Sequence, residues 1–111
     1  MNYRFTYREE VQVLYIYRLL TDMDNRAILD EVNRAAQDGC NTILVELSYL
    51  EFMDSNGLNL LIALWRQAGQ YNQKLYLTEP KASVIRLLEM TRLKAIFEII
   101  PTGQSLPMVS N

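Results

Sequence analysis

Polar and apolar positions alternate twice near the start of the chain. Tyr3 to Tyr7 reads as a short strand. Val11 to Tyr17 reads as a stronger one, with Val11, Val13, Tyr15 and Tyr17 on one face and Leu14 and Ile16 on the other. Glu9 and Glu10 lie between the two runs as a tight turn, which predicts a hairpin. The period then lengthens. Ile28, Val32 and Ala36 recur at intervals of four, with Leu29 and Ala35 beside them, so Asp24 to Gln37 is predicted to be a helix. Thr21 or Asp22 supplies an N-cap oxygen, and Gly39 suits the left-handed residue that ends a helix. Thr42 to Leu47 is apolar at almost every position except Glu46, the pattern of a central strand covered on both faces. A second helix is predicted from Ser55 to Gln70. Its stripe is Leu58, Leu61, Ile62 and Trp65, widened by Leu60 and Leu64, which places Trp65 in the core. Lys74 to Thr78 is a further buried strand, and Pro80 both ends it and suits the start of the next helix. That helix is Ala82 to Met90, with Val84, Leu87 and Leu88 inward. Leu93 to Phe97 adds a turn, and Glu98 to Ile100 a last strand. The alternation, with short connections, predicts an α/β sandwich: a mixed, mainly parallel sheet of four to five strands with three to four helices.

Composition bounds what such a domain does. The chain has 111 residues, half of them hydrophobic, which fits one domain over residues 1–111 with its own core. Residues 102–111, with Gly103, Pro107 and Ser110, read as a loose tail. Histidine is absent, so a Ser-His-Asp or Cys-His nucleophile and a His-ligated zinc site cannot be built within the chain. The single cysteine, Cys40, has no partner for an internal disulfide and reads as a half-buried, inert thiol. No carboxylates pair convincingly for acid/base work, and no Gly-rich phosphate loop with Lys and Ser/Thr is present. The expectation is a non-enzyme with no metal and no cofactor. Eleven Lys and Arg against thirteen Asp and Glu give a net charge of -2, which argues against direct nucleic-acid binding. Met1 to Arg8 lacks the apolar stretch of a signal peptide. The longest apolar runs, such as Leu60 to Trp65, fall far short of the ~20 residues that span a bilayer. A soluble cytoplasmic protein is expected, with no membrane partner and a monomer as the default.

One segment carries more information. A buried strand runs into Ser48-Tyr49-Leu50-Glu51-Phe52-Met53-Asp54-Ser55-Asn56-Gly57-Leu58, delivering an Asp-Ser pair to a helix start, where free N–H groups and the positive end of the dipole converge. Periodicity alone makes Asp54 or Ser55 an N-cap, worth about 1 kcal/mol. Gly57 would let another surface approach the first turn closely. Ser48 and Ser83 are further hydroxyls at element ends and read as structural. Tyr3, Tyr7, Tyr15 and Tyr17 read as a packing face rather than an exposed aromatic patch.

Phe52 to Leu58, following an apolar strand, resembles the signature of STAS domains: a hydrophobic pair, Asp-Ser, a variable residue, Gly, then Leu or Ile. That family includes the bacterial anti-sigma-factor antagonists. Thr91-Arg92-Leu93 with Phe97 downstream resembles a later family stretch, Thr-Gly-Leu and a Phe, and the likeness runs from about Tyr7 to Pro101. The resemblance implies a STAS-like sandwich and a phosphorylation-switched interaction module. It makes Ser55 the acceptor and Asp54 the adjacent acid. Asn56, Gly57 and Leu58 form the first turn that contacts the partner. The implied partners are an anti-sigma factor that is itself a serine kinase, bound when Ser55 is unphosphorylated, and a PP2C-type phosphatase. The implied alternative is an unswitched STAS subunit of an ABC lipid-transport or stress-signalling assembly. Three positions depart from the family pattern. Arg18 to Asp22 lacks a glycine, leaving Asp22 or Asp24 for the acidic residue near the partner. Glu46 stands where Asp is frequent, and Arg92 replaces the glycine of the later motif.

Overall fold

Strand β1 (Tyr3–Arg8) and strand β2 (Val11–Ile16) form an antiparallel hairpin in which Arg8 pairs with Val11. Glu9 and Glu10 close it, with Glu9 in the left-handed region at φ 55°. After the hairpin come α1 (Asp22–Gln37), β3 (Thr42–Glu46), α2 (Ser55–Gln70), β4 (Lys74–Thr78), α3 (Ala82–Met90), one 3-10 turn (Lys94–Ile96) and β5 (Glu98–Ile100). The computed structural model describes residues 1–101, so the tail expected at 102–111 lies outside the described residues.

The sheet order is β1-β2-β3-β4-β5, antiparallel only between β1 and β2. Parallel neighbours in chain order are joined by right-handed crossovers, so all three helices lie on one face. Leu14, Ile16, Ile43, Val45 and Leu77 from that face meet Ile28 and Val32 of α1, Leu60, Leu61 and Leu64 of α2, and Val84 and Leu88 of α3 in one core. The expectation that β3 is covered on both faces is therefore corrected. β3 is the central strand, but Leu44 and Glu46 point to the side opposite the helices and are only partly buried.

The tyrosines do not form one face. Cross-strand pairing puts Tyr3 and Tyr7 on the side of Ile16 and Gln12, where Tyr3 packs on the core and Tyr7 stays exposed. Tyr15 and Tyr17 stack on the other side, ring centroids 6.2 Å apart, with the Arg4 guanidinium 5.5 Å from the Tyr15 ring. Trp65 is not a core residue either, being 44% exposed. The buried side of α2 is Gly57, Leu60, Leu61, Leu64 and Ala68, rotated from the predicted stripe. An apolar pattern this wide is satisfied by several rotations, and packing chooses between them. Pro80 does not open α3, whose N-cap is Lys81, without a side-chain cap. Cys40 is half-buried, and burial pushes its thiol up, away from the reactive thiolate.

Candidate functional site

Helices that follow parallel strands begin at the strands' C-terminal ends, so α1 and α2 start on the same end of the molecule. The approach to α2 is fixed first. The Glu46 carboxylate accepts from the Ser48 amide N–H at 3.0 Å and from the Thr78 hydroxyl at 2.9 Å, pinning the end of β3 to β4. Leu50 and Met53 are buried, while Tyr49 and Phe52 are exposed, so the loop is anchored by alternate apolar side chains and presents the others. Tyr49 leans on Tyr17, ring centroids 5.3 Å apart. Glu51 ties the loop to the start of α3: its carboxylate meets Lys81 Nζ at 2.6 Å, and its carbonyl accepts from the Ser83 hydroxyl. The Ser83 hydroxyl thus holds structure, as expected, whereas Ser48 contributes its backbone amide.

The Asp-Ser pair divides its tasks. Asp54 is the N-cap, extended at φ -103° and ψ -175°, and its Oδ1 accepts from the Gly57 amide N–H at 3.0 Å. The Leu58 amide donates to the Asp54 carbonyl at 3.1 Å. Ser55 is therefore the first helical residue, not the cap. It is exposed, and its hydroxyl has no hydrogen-bond partner among the described residues.

Behind Ser55 the turn is closed. Asn56 Nδ2 donates to the Leu20 carbonyl at 2.7 Å, and Asn25 Nδ2 donates to both the carbonyl and the side-chain oxygen of Asn56, each at 3.1 Å. Gly57 is buried. A Cβ there would lie 2.6 Å from Met53 Cγ, so the close approach it allows is that of Met53, within the chain. Leu58 is half-buried and packs on the core.

Asp22 and Asp24 stand in the first turn of α1, which the Asn25–Asn56 bridge joins to α2. Asp24 is committed to structure. It completes a capping box with Thr21, accepting from the Thr21 amide at 3.0 Å while its own amide donates to Thr21 Oγ1 at 3.0 Å. Asn2 also donates to it at 2.9 Å, and these bonds, that from Asn2 foremost, hold its carboxyl below the usual range. Asp22 is exposed and outside this network, so it is the acid of this turn left facing solvent. The structure thus gathers Asp54, Ser55, Asn56, Gly57, Leu58 and Asp22 at one end, with Asn56 and Gly57 turned inward. Asn25 is the residue that sequence reasoning passed over. Its signal was an amide side chain one turn into a helix, where Asn is a poor helix former.

The sequence profile of the STAS domain matches residues 6–106. An anti-sigma F factor antagonist of Paenibacillus polymyxa is 30% identical over 92 residues, 78% of this chain and 74% of that protein. An anti-sigma-B factor antagonist of Staphylococcus aureus is 33% identical over 63 residues, 57% of this chain; the chain spans 58% of that relative's length. Among solved structures, the anti-sigma factor antagonist SpoIIAA in its unphosphorylated form superposes with a TM-score of 0.74 at 20% identity, covering 90% of this chain and 89% of that one. The Bacillus cell fate determinant SpoIIAA in the phosphorylated form gives 0.71 at 19% identity, covering 90% and 92%. With the profile spanning most of its length and the same fold in those structures, the chain belongs to the STAS domain family.

Proposed function

We propose that this protein is an anti-sigma-factor antagonist whose binding is switched by phosphorylation of Ser55. The observation that carries the reading is the division of labour at the α2 start: Asp54 supplies the capping oxygen, which leaves the Ser55 hydroxyl exposed and unengaged within the family motif. Relatives that match the chain are antagonists of anti-sigma B and anti-sigma F factors, and SpoIIAA, with the same fold, is known in unphosphorylated and phosphorylated forms.

The partner is an anti-sigma factor with serine-kinase activity, acting in the cytoplasm. It transfers the γ-phosphoryl group of a nucleoside triphosphate: the Ser55 Oγ–P bond forms as the bond to the leaving diphosphate breaks, and the hydroxyl proton passes to a base on the kinase. A PP2C-type phosphatase reverses the modification by hydrolysis. The phosphate adds about -1.5 to -2 charges beside the Asp54 carboxylate, at the end of the molecule that also carries Asp22. A kinase surface fitted to a neutral hydroxyl then faces repulsion and a desolvated dianion, and a difference of about 3 kcal/mol is a 10²-fold change in affinity. The domain itself tolerates the phosphate, because the first N–H groups of α2 and its dipole favour an anion. The contact surface is Ser55, Asp54, Asp22 and the exposed part of Leu58, with Asn56 and Gly57 shaping the turn from beneath.

The test is an affinity capture from the source cell's lysate with wild-type, Ser55→Ala and Ser55→Asp baits, read by mass spectrometry. A serine kinase held by the Ala bait and lost by the Asp bait, with phosphate on Ser55 of the wild type, is the expected result. A transporter ATPase held equally by all three, without phosphate, would overturn it in favour of an unswitched subunit.

A further inference from the structure

We infer that Asn25 is a positioning residue for Ser55: from α1 its side-chain amide holds the first turn of α2 in the geometry that presents the hydroxyl. This rests on the reading of Ser55 as a phosphoryl acceptor. The two residues flanking Ser55 are each held, and Ser55 is not. On one side Asp54 caps the helix through the Gly57 amide at 3.0 Å. On the other, Asn56 is clasped at three points: its carbonyl and Oδ1 by Asn25 Nδ2 and its Nδ2 by the Leu20 carbonyl. The exposed hydroxyl therefore stands on a segment of backbone fixed from both ends. Asn56 cannot do this alone, since its donor reaches only the strand-to-helix connection at Leu20, and Asn25 supplies its link to α1.

Asn25 is a costly residue for a purely structural post. Its Oδ1 is inaccessible and has no partner among the described residues, and a buried acceptor without a donor is unfavourable. Asn is also a poor helix former. A side chain that breaks two local rules, beside the one exposed hydroxyl of the family motif, is accounted for by the geometry it imposes. In phosphoryl transfer, where catalysis is mostly positioning, a displacement of about 1 Å costs on the order of 10²-fold in rate.

The experiment uses the full chain with Asn25→Ala and Asn25→Asp, the latter isosteric but lacking the donor. Amide hydrogen exchange is followed at Gly57 and Leu58. Phosphorylation by the serine kinase captured with the Ser55→Ala bait, with Mg-ATP, is resolved into kcat and KM. Exchange about tenfold faster or more at those two amides, with kcat lowered about 10- to 100-fold and KM little changed, is expected of both variants. Wild-type exchange, whatever the rate, overturns the inference. A loss confined to KM does too, because it makes Asn25 a docking contact. Where Asn25→Ala fails to fold, Asn25→Asp decides. Absence of phosphate on wild-type Ser55 refutes the acceptor reading, while the exchange arm still decides whether Asn25 holds the turn.

Discussion

Asp54 and Ser55 are adjacent and chemically similar as helix caps, yet the structure gives the capping oxygen to Asp54 and leaves Ser55 free. A short, exposed hydroxyl is available for chemistry only because its neighbour takes the structural task. The same sorting holds at α1. Asp24 is locked by Thr21 and Asn2, whereas Asp22 faces solvent. Because the folded-state pKa of Asp24 is lowered, its contribution to stability is fully present above the unfolded value of about 3.9 and is lost as pH falls through the lower folded value. Asp24→Ala should therefore lower the thermal midpoint at pH 7, and its difference from wild type should shrink as pH is taken below the unfolded value, measured by circular dichroism melts. An equal difference at both pH values would mean that the charge of Asp24 contributes nothing.

At the scale of elements, all three α-helices end in the same way. The residue after each C-cap is left-handed: Gly39 at φ 105°, Asn72 at φ 55° and Arg92 at φ 61°. The next amide reaches back to the third-last helical carbonyl in each: Cys40 to Ala35 at 2.9 Å, Gln73 to Ala68 at 2.8 Å and Leu93 to Leu88 at 2.8 Å. Arg92 stands where the family's Thr-Gly-Leu has glycine, and the backbone kept the glycine conformation without the glycine. Arg92→Gly is expected to stabilise the domain by about 0.5–1 kcal/mol in urea titration, the relief of strain exceeding the extra entropy of the unfolded chain. A loss of stability would show that the Arg92 side chain makes a contact worth more than that strain. The helices end where the pattern predicts, at Gln37, Gln70 and Met90, but a left-handed closing residue was legible in advance only at Gly39; Asn and Arg carry weak or no left-handed signal, so their conformation emerges from the closing hydrogen bonds. Helix starts were read to within two residues, as at α1, where the prediction began at Asp24 and the helix at Asp22.

At the scale of the whole molecule, the described residues form one layer of three helices on one face of a five-stranded sheet, with which they share one core. Leu61 is fully buried in the middle of α2, the helix whose first turn carries Ser55. Leu61→Ala should cost about 2–5 kcal/mol by urea unfolding, with the slope unchanged if the domain unfolds in one cooperative step. A second transition would show that the site end unfolds apart from the rest. The pinning of the β3–α2 loop explains why such coupling is expected: Glu46 joins its root to β4, and Glu51 joins its tip to α3.

Element order, the hairpin, the central place of β3 and the Asp-Ser-x-Gly-Leu start of α2 were determined by the sequence by itself, because hydrophobic period and turn residues act over a few neighbours along the chain. Tertiary structure alone decided that the helices share one face, that α2 turns Leu60, Leu64 and Ala68 inward and leaves Trp65 partly exposed, and that Gly57 makes room for Met53. It also decided that Asn25 reaches Asn56 across 31 positions of the chain. These outcomes depend on which surfaces meet once the strands pair. A helix apolar on several sides, and an amide with no local partner, hold no record of that meeting in their own neighbourhood of the chain.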